Sequence, residues 1–159
     1  MQEPRVVAGG IAVDDRGVVR FVNDFDFKAA GIRRFYTLMN HEVGYVRAWH
    51  GHKKEAKWCS VLSGSAIVCA VPLDEFNTNR SYFNTDSWLL KHPFHRFVLS
   101  AANPQILHIP AGYANGFKAL EPNTMIVHFS DMAIGESDDD DVRFPANALP
   151  MDCWEVKNR

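Results

Sequence analysis

Short β-type segments broken by turn formers limit what this chain can fold into more than any other feature. Val6–Val13, Val18–Val22, Tyr45–Trp49, Trp58–Leu62, Ala66–Leu73, Arg96–Leu99, Ile106–Ile109 and Thr124–Phe129 are rich in Val, Ile, Phe and Trp. Between them stand Asp14-Asp15-Arg16-Gly17, Ser63-Gly64-Ser65, Asn103-Pro104, Pro110-Ala111-Gly112 and Glu121-Pro122-Asn123. Several short strands at regular turn spacing predict an all-β sandwich or barrel. Leu62–Ala66 reads as a tight hairpin about Gly64, because glycine supplies the positive φ such turns need. Helix is expected only at Asp24–Arg34, as one turn or two. There is no internal repeat.

The length of 159 residues suits a single domain, residues 1–159, able to bury roughly two-thirds of its unfolded surface. Lys and Arg number 17 against 19 Asp and Glu, for a net charge of −2. That balance argues against a nucleic-acid partner, which calls for a basic excess. Cys59, Cys69 and Cys153 are odd in number and lack CxxC spacing, so they read as buried free thiols in a reducing compartment. The start Met1-Gln2-Glu3-Pro4 does not resemble a signal peptide, and the longest uncharged apolar run, Ala66–Leu73, is too short to span a bilayer. A soluble cytoplasmic protein with no membrane partner is expected. Asp74–His92 reads as a polar, aromatic excursion that shapes ligand choice. Asp138–Asp141 reads as a solvated acidic loop, since consecutive carboxylates lack the alternating spacing of a calcium loop. The tail Cys153-Trp154-Glu155-Val156 reads as a segment that docks back on the barrel.

Two runs carry the chemistry. The first is Gly44-Tyr-Val-Arg-Ala-Trp-His50-Gly-His52, followed by Gly64. The second is Ile109-Pro110-Ala111-Gly112-Tyr113-Ala114-Asn115-Gly116-Phe117. Together they resemble the two motifs of the cupins, which are antiparallel jelly-roll β-barrels. Gly44, His50, His52 and Gly64 fall on the first pattern, and Pro110 and Gly112 on the second. In metal cupins a Glu and a third His complete the ligand set. Here those positions hold Lys57 and Asn115, a cation without a lone pair and a poor amide ligand. Glu55 lies two residues off register, and His108 and His128 belong to other positions.

The departures match a metal-free branch. Asp14-Asp15-Arg16-Gly17, Asn40, Arg47-Ala48-Trp49-His50, Lys57 and the Ile109–Phe117 run resemble dTDP-4-dehydrorhamnose 3,5-epimerases. Arg47-Ala48-Trp49-His50-Gly51-His52-Lys53 with Gly64-Ser65 resembles the related dTDP-sugar 3,4-ketoisomerases. The resemblance covers roughly residues 9 to 145. It implies an isomerase that needs no cofactor, takes a nucleoside-diphosphate 4-keto sugar, and assembles as a homodimer, often with an exchanged N-terminal strand.

A ketone acidifies the hydrogen on the neighbouring carbon, so a base of near-neutral pKa can remove it, and the enolate then needs a cation or hydrogen-bond donor. The resemblance makes His50 the base, His52 a second functional histidine and Lys57 the enolate partner. The Tyr that serves the epimerases as acid after the second motif is missing: the four tyrosines are Tyr36, Tyr45, Tyr82 and Tyr113. His128 stands in the matching segment as a candidate donor. Arg47 and Arg16 are candidates for the diphosphate, with Arg16 or Arg33 reaching across a dimer. Lys53, Asn40 and Asn115 are further candidate substrate contacts, and Tyr36, Tyr113, Trp49 and Trp58 candidate stacking groups. Asp131 and Asp152 are candidates to orient the catalytic histidine. Two other readings stay open: a metal-dependent cupin using His50 and His52, and a sugar- or nucleotide-sugar-binding cupin without turnover.

Overall fold

Strand β6 (Lys57–Ser63) follows the period-two rule of a half-buried strand. Lys57, Cys59 and Val61 are buried, while Trp58 and Ser60 are less so. The same alternation runs along β4 (Arg34–Met39), with Arg34, Tyr36 and Leu38 turned inward and Phe35, Thr37 and Met39 outward. The computed structural model describes residues 2–76, 94–149 and 151–157.

Its other strands are β1 (Arg5–Ala8), β2 (Gly10–Asp14), β3 (Gly17–Phe21), β5 (Val46–His52) and β7 (Ser65–Pro72). After these come β8 (His95–Ser100), β9 (Gln105–Ile109), β10 (Tyr113–Ala119), β11 (Met125–Ser130) and β12 (Val142–Arg143). They build two five-stranded sheets, ordered β1-β9-β6-β11-β4 and β12-β5-β10-β7-β8, with every pairing antiparallel. A separate β2-β3 hairpin stands beside them. This is the expected all-β jelly-roll architecture.

Strand β7 explains the division of the interior. Ala66, Val68 and Ala70 pack with Leu107, Phe117 and Ile126 between the sheets. Ile67, Cys69 and Val71 pack on its other face with Trp49, Leu149, Cys153 and Trp154. Both faces are buried, so the segment reads as an unbroken apolar run. The tail docks as expected: the Trp49 and Trp154 rings lie 5.1 Å apart, and the three cysteines are free and buried.

Four expectations need correction. Val6–Val13 is two strands, because the chain leaves the sheet at Gly9, whose amide bonds Pro104 O at 2.8 Å where a Cβ would clash. The turn at Gly64 is no hairpin: β6 and β7 belong to different sheets, and Gly64 (φ +70°) is the corner between them, set against Thr124. Residues 24–33 hold turns, with one i→i+4 hydrogen bond from Ala30 N to Asp26 O at 2.9 Å and no helix, and Arg34 already begins β4. Residues 138–141 are not simply a solvated loop. Asp140 is buried and accepts the Lys53, Lys54 and Glu55 amides at 2.9–3.0 Å. Of the excursion expected at 74–92, residues 74–76 belong to a short 3-10 turn and the rest lie outside the described residues.

Candidate active site

The inward faces of the two sheets meet in a cleft of about 130 Å³. Tyr36 on β4, Lys57 on β6 and His128 on β11 line it from one sheet. Arg47 and His50 on β5 and Asn115 on β10 line it from the other. Strict alternation would send Arg47 and His50, three residues apart, to opposite faces. A register shift in the β5-β10 ladder, between Asn115 and Phe117, brings both to the cleft. Gly116 allows this close approach, since a Cβ there would meet Arg47 O at 2.7 Å. Asn115 donates from Nδ2 to His50 O at 3.2 Å and so ties the two strands at the site.

Behind the cleft lies a buried ionic cluster centred on Glu55. Its Oε1 accepts from Arg34 at 2.7 Å and from Ser130 Oγ at 2.5 Å. Its Oε2 sits 2.9 Å from His52 Nδ1 and 3.8 Å from Lys57 Nζ. Lys57 Nζ is 2.6 Å from His52 Nε2. The loop between β5 and β6 is fixed from outside by Asp140, and by Asp131, which accepts the Ala56 amide at 3.0 Å. Those bonds turn the Glu55 side chain inward. Burial favours a neutral Glu55, but contacts with His52, Ser130 and Lys57 overcome it and hold the carboxyl at about 2.

The cleft groups differ in proton affinity. His50 is half-buried, with Nδ1 3.9 Å from Asp141 Oδ1. Burial, and then the nearby Arg143, lower its pKa from 6.5. Burial also lowers Lys57, against the pull of Glu55. His128 is pushed down to about 3, first by burial and then by Lys57. Tyr36 is raised to about 12 by burial and by Glu55. Its ring stacks on His128, with centroids 5.2 Å apart, and the Arg34 guanidinium lies 5.5 Å from its centroid.

Of the residues the sequence singled out, Tyr36, Arg47, His50, Lys57, Asn115 and His128 converge on the cleft. His52 is buried behind its wall. Tyr113 is in the core between the sheets, and Asn40 bridges a turn by donating to Tyr45 O at 2.9 Å. Lys53 is exposed outside the cleft, with its amide on Asp140. Arg16 pairs with Asp14 at the tip of the β2-β3 hairpin, and Arg33 with Glu136 at 2.6 Å. Trp49 faces away into the second core, and Trp58 stacks on His108 at 4.7 Å. Asp131 caps a loop, and Asp152 lies beside Arg96 outside the barrel. The carboxylate beside His50 is Asp141, hidden in the sequence within an acidic run. Arg34 and Ser130 carried no sequence signal, and Glu55 and Asp140, noted only as off register and as part of an acidic run, belong to the site as well. The one signal for Glu55 was its charge beside Lys57 at the edge of an apolar strand.

These residues do not suit the metal-cupin reading. Lys57 Nζ lies 2.6 Å from His52 Nε2, the ring nitrogen on the cleft side that a metal ion would need, and a cation there opposes a second one. Among the described residues, no group of three or more His, Cys, Asp or Glu is placed to hold a metal. No helix among them is long and apolar enough to cross a membrane.

A family model described as dTDP-4-dehydrorhamnose 3,5-epimerase matches residues 2–157. The chain belongs to the dTDP-4-dehydrorhamnose 3,5-epimerase family. It is therefore an isomerase of the dTDP-sugar epimerase and 3,4-ketoisomerase group, as the motifs implied. No curated protein matches the sequence significantly. Solved structures share its fold. The rmlC epimerase of Mycobacterium tuberculosis is 19% identical with a TM-score of 0.68, over 91% of this chain and 70% of that one. ChmJ, a 3'-monoepimerase from Streptomyces bikiniensis, is 15% identical with a TM-score of 0.67, over 91% and 71%. The QdtA 3,4-ketoisomerase from Thermoanaerobacterium thermosaccharolyticum is 15% identical with a TM-score of 0.64, over 94% and 93%.

Proposed function

We propose that this family member removes the proton from carbon 3 of a dTDP-linked 4-keto sugar with His50 and returns one to that carbon, giving the 3-epimer. The observation that carries the reading is His50 itself, the one cleft-lining histidine left both solvent-accessible and close to a carboxylate. A neutral imidazole can accept a proton on Nε2 while Asp141 steadies the Nδ1 side. Lys57 supplies the positive charge for the developing enolate in a poorly solvated wall, where such charge acts strongly. Tyr36 keeps its proton to about 12 and is the hydroxyl available in the cleft. His128, held neutral, supports the Tyr36 ring rather than carrying a transferable proton. Arg47, exposed at the rim, suits the diphosphate, and Asn115 is available to a sugar hydroxyl.

The protein acts as a cytoplasmic homodimer in this reading. The apolar surface left open by one chain supports the assembly: Val13, Val19 and Phe35 are 72%, 61% and 70% exposed on the β2-β3 hairpin and edge strand β4. In the dimer Arg16 would approach the partner's cleft.

The test is proton NMR of metal-stripped protein with dTDP-4-keto-6-deoxyglucose in deuterated water. Loss of the carbon 3 proton signal at catalytic protein concentration, with a 3-epimer product, is expected. A carbonyl at carbon 3 in the product would favour ketoisomerisation, and binding without exchange would favour the non-catalytic reading.

The pH profile has a definite sign. His50 must be neutral to act, and burial and Arg143 both disfavour its charged form. The rate should therefore rise with pH through a midpoint below 6.5. Replacing Arg143 by Gln removes that cation and frees Asp141, its partner at 2.7 Å, so the midpoint should move up.

A further inference from the structure

We propose that His52 is a positioning residue: a neutral imidazole that links Glu55 to Lys57 and aims the Lys57 ammonium into the cleft, transferring no proton to or from the sugar. This rests on the catalytic reading of the cleft, and it departs from the role that the His-x-His run suggests. Lys57 Nζ is 2.6 Å from His52 Nε2; with Lys57 as the ammonium that the cleft reading requires, Lys57 can only donate, so Nε2 accepts. The ring proton then resides on Nδ1, which lies 2.9 Å from Glu55 Oε2. Nε2 is engaged by Lys57, Nδ1 faces the Glu55 carboxylate at ion-pair distance without an aligned hydrogen bond, and the ring is 5% exposed and does not line the cleft.

Charge balance supports the neutral ring. The groups packed about it are Glu55 and Lys57, with Asp140 Oδ2 at 3.9 Å and Arg34 across Glu55. His50 and the Asp141–Arg143 pair lie beyond them on the cleft side. Two buried carboxylates against two cations already balance. A proton on His52 would add an unpaired charge to the interior and turn Nε2 into a second donor facing an ammonium. Lys57, by contrast, lines the cleft, where its positive charge can act on an anionic oxygen.

Two substitutions at His52 discriminate between these roles. A glutamine can accept from Lys57 through Oε1 and donate to Glu55 through Nε2, yet it has no titratable proton. A leucine can do neither. In the carbon 3 exchange assay, His52→Gln should stay within about threefold of wild type, with KM unchanged. His52→Leu should lose on the order of 100-fold, mostly in kcat, the scale expected when a catalytic charge is misplaced by about an ångström. Long-range ¹H–¹⁵N spectra of the free protein should find the His52 ring as the Nδ1–H tautomer. If His52→Gln falls as far as His52→Leu while remaining folded, His52 moves a proton and the proposal is wrong. Near-wild-type activity of both variants would also overturn it, as would an imidazolium or Nε2–H ring in the spectra. If the wild type gives no exchange, the cleft reading fails on its own, and the tautomer still decides whether His52 bridges Glu55 and Lys57.

Discussion

A His50→Asn protein should leave the carbon 3 proton of the 4-keto sugar in place, with exchange reduced by a factor on the order of 10²–10⁴, the range that positioned bases contribute. Asparagine is close in size and keeps the backbone carbonyl that Asn115 bonds, so the β5-β10 tie survives. His50 is half-buried and sits outside the ionic cluster, so thermal stability should change by less than about 1 kcal/mol. Substrate binding, read by titration with the nucleotide sugar, should also persist, because Arg47 and Asn115 are untouched. An Asp141→Asn variant should lose less, on the order of tenfold, since its carboxylate stands 3.9 Å from Nδ1 rather than in a short bond. Wild-type exchange in His50→Asn would mean that the base lies elsewhere, and Tyr36 and Lys57 would be the groups left to examine.

How much of this was legible beforehand depended on whether a property was local. His50, Lys57 and Asn115 stand at fixed steps from Gly44, Gly64 and Pro110, so local spacing was enough to select three residues that share the cleft. Properties set by long-range pairing were not. Gly64 was read correctly as a positive-φ turn, but no local signal says that β6 pairs with β11 while β7 pairs with β10. Strand β4 is not among the predicted segments because its alternation begins directly after a turn-rich stretch, and β10 is not because Ala114 and Gly116 carry little strand propensity. Tyr113 lies one pairing step from His52, inside the core, so its nearness in sequence to Asn115 misled. The acidic run misled for a similar reason. Asp138 and Asp139 are exposed, yet Asp140 holds three amides of the β5-β6 loop and Asp141 stands beside His50. The β12-β5 pairing, together with the Asp140 bonds, brings that run to the site.

Removing Glu55 should have the largest effect on stability of any substitution in the site. Its carboxylate is the common partner of Arg34, His52, Lys57 and Ser130. Replacing it by Leu strands the buried Lys57 and the partly buried Arg34, and breaking a buried pair from one side typically costs about 3–5 kcal/mol. For a chain of this size that corresponds to a fall in Tm on the order of 10 °C. The loss should depend on pH with a known sign. Glu55 titrates near 2 in the folded protein against an ordinary 4.5, a depressed value. Its stabilisation is therefore fully present above about 4.5 and drains away as pH falls towards 2. Denaturation curves of wild type and Glu55→Leu should be far apart at pH 7 and converge below pH 4. Restoring balance should recover part of the loss: in Glu55→Leu with Lys57→Met, one cation and the carboxylate leave together, and the coupling energy of the cycle reports their pairing. If Glu55→Leu unfolds within about 1 kcal/mol of wild type at neutral pH, and the gap does not close in acid, the cluster does not hold the cleft wall. The placement of Lys57 would then have to come from the strand pairing of β6 alone.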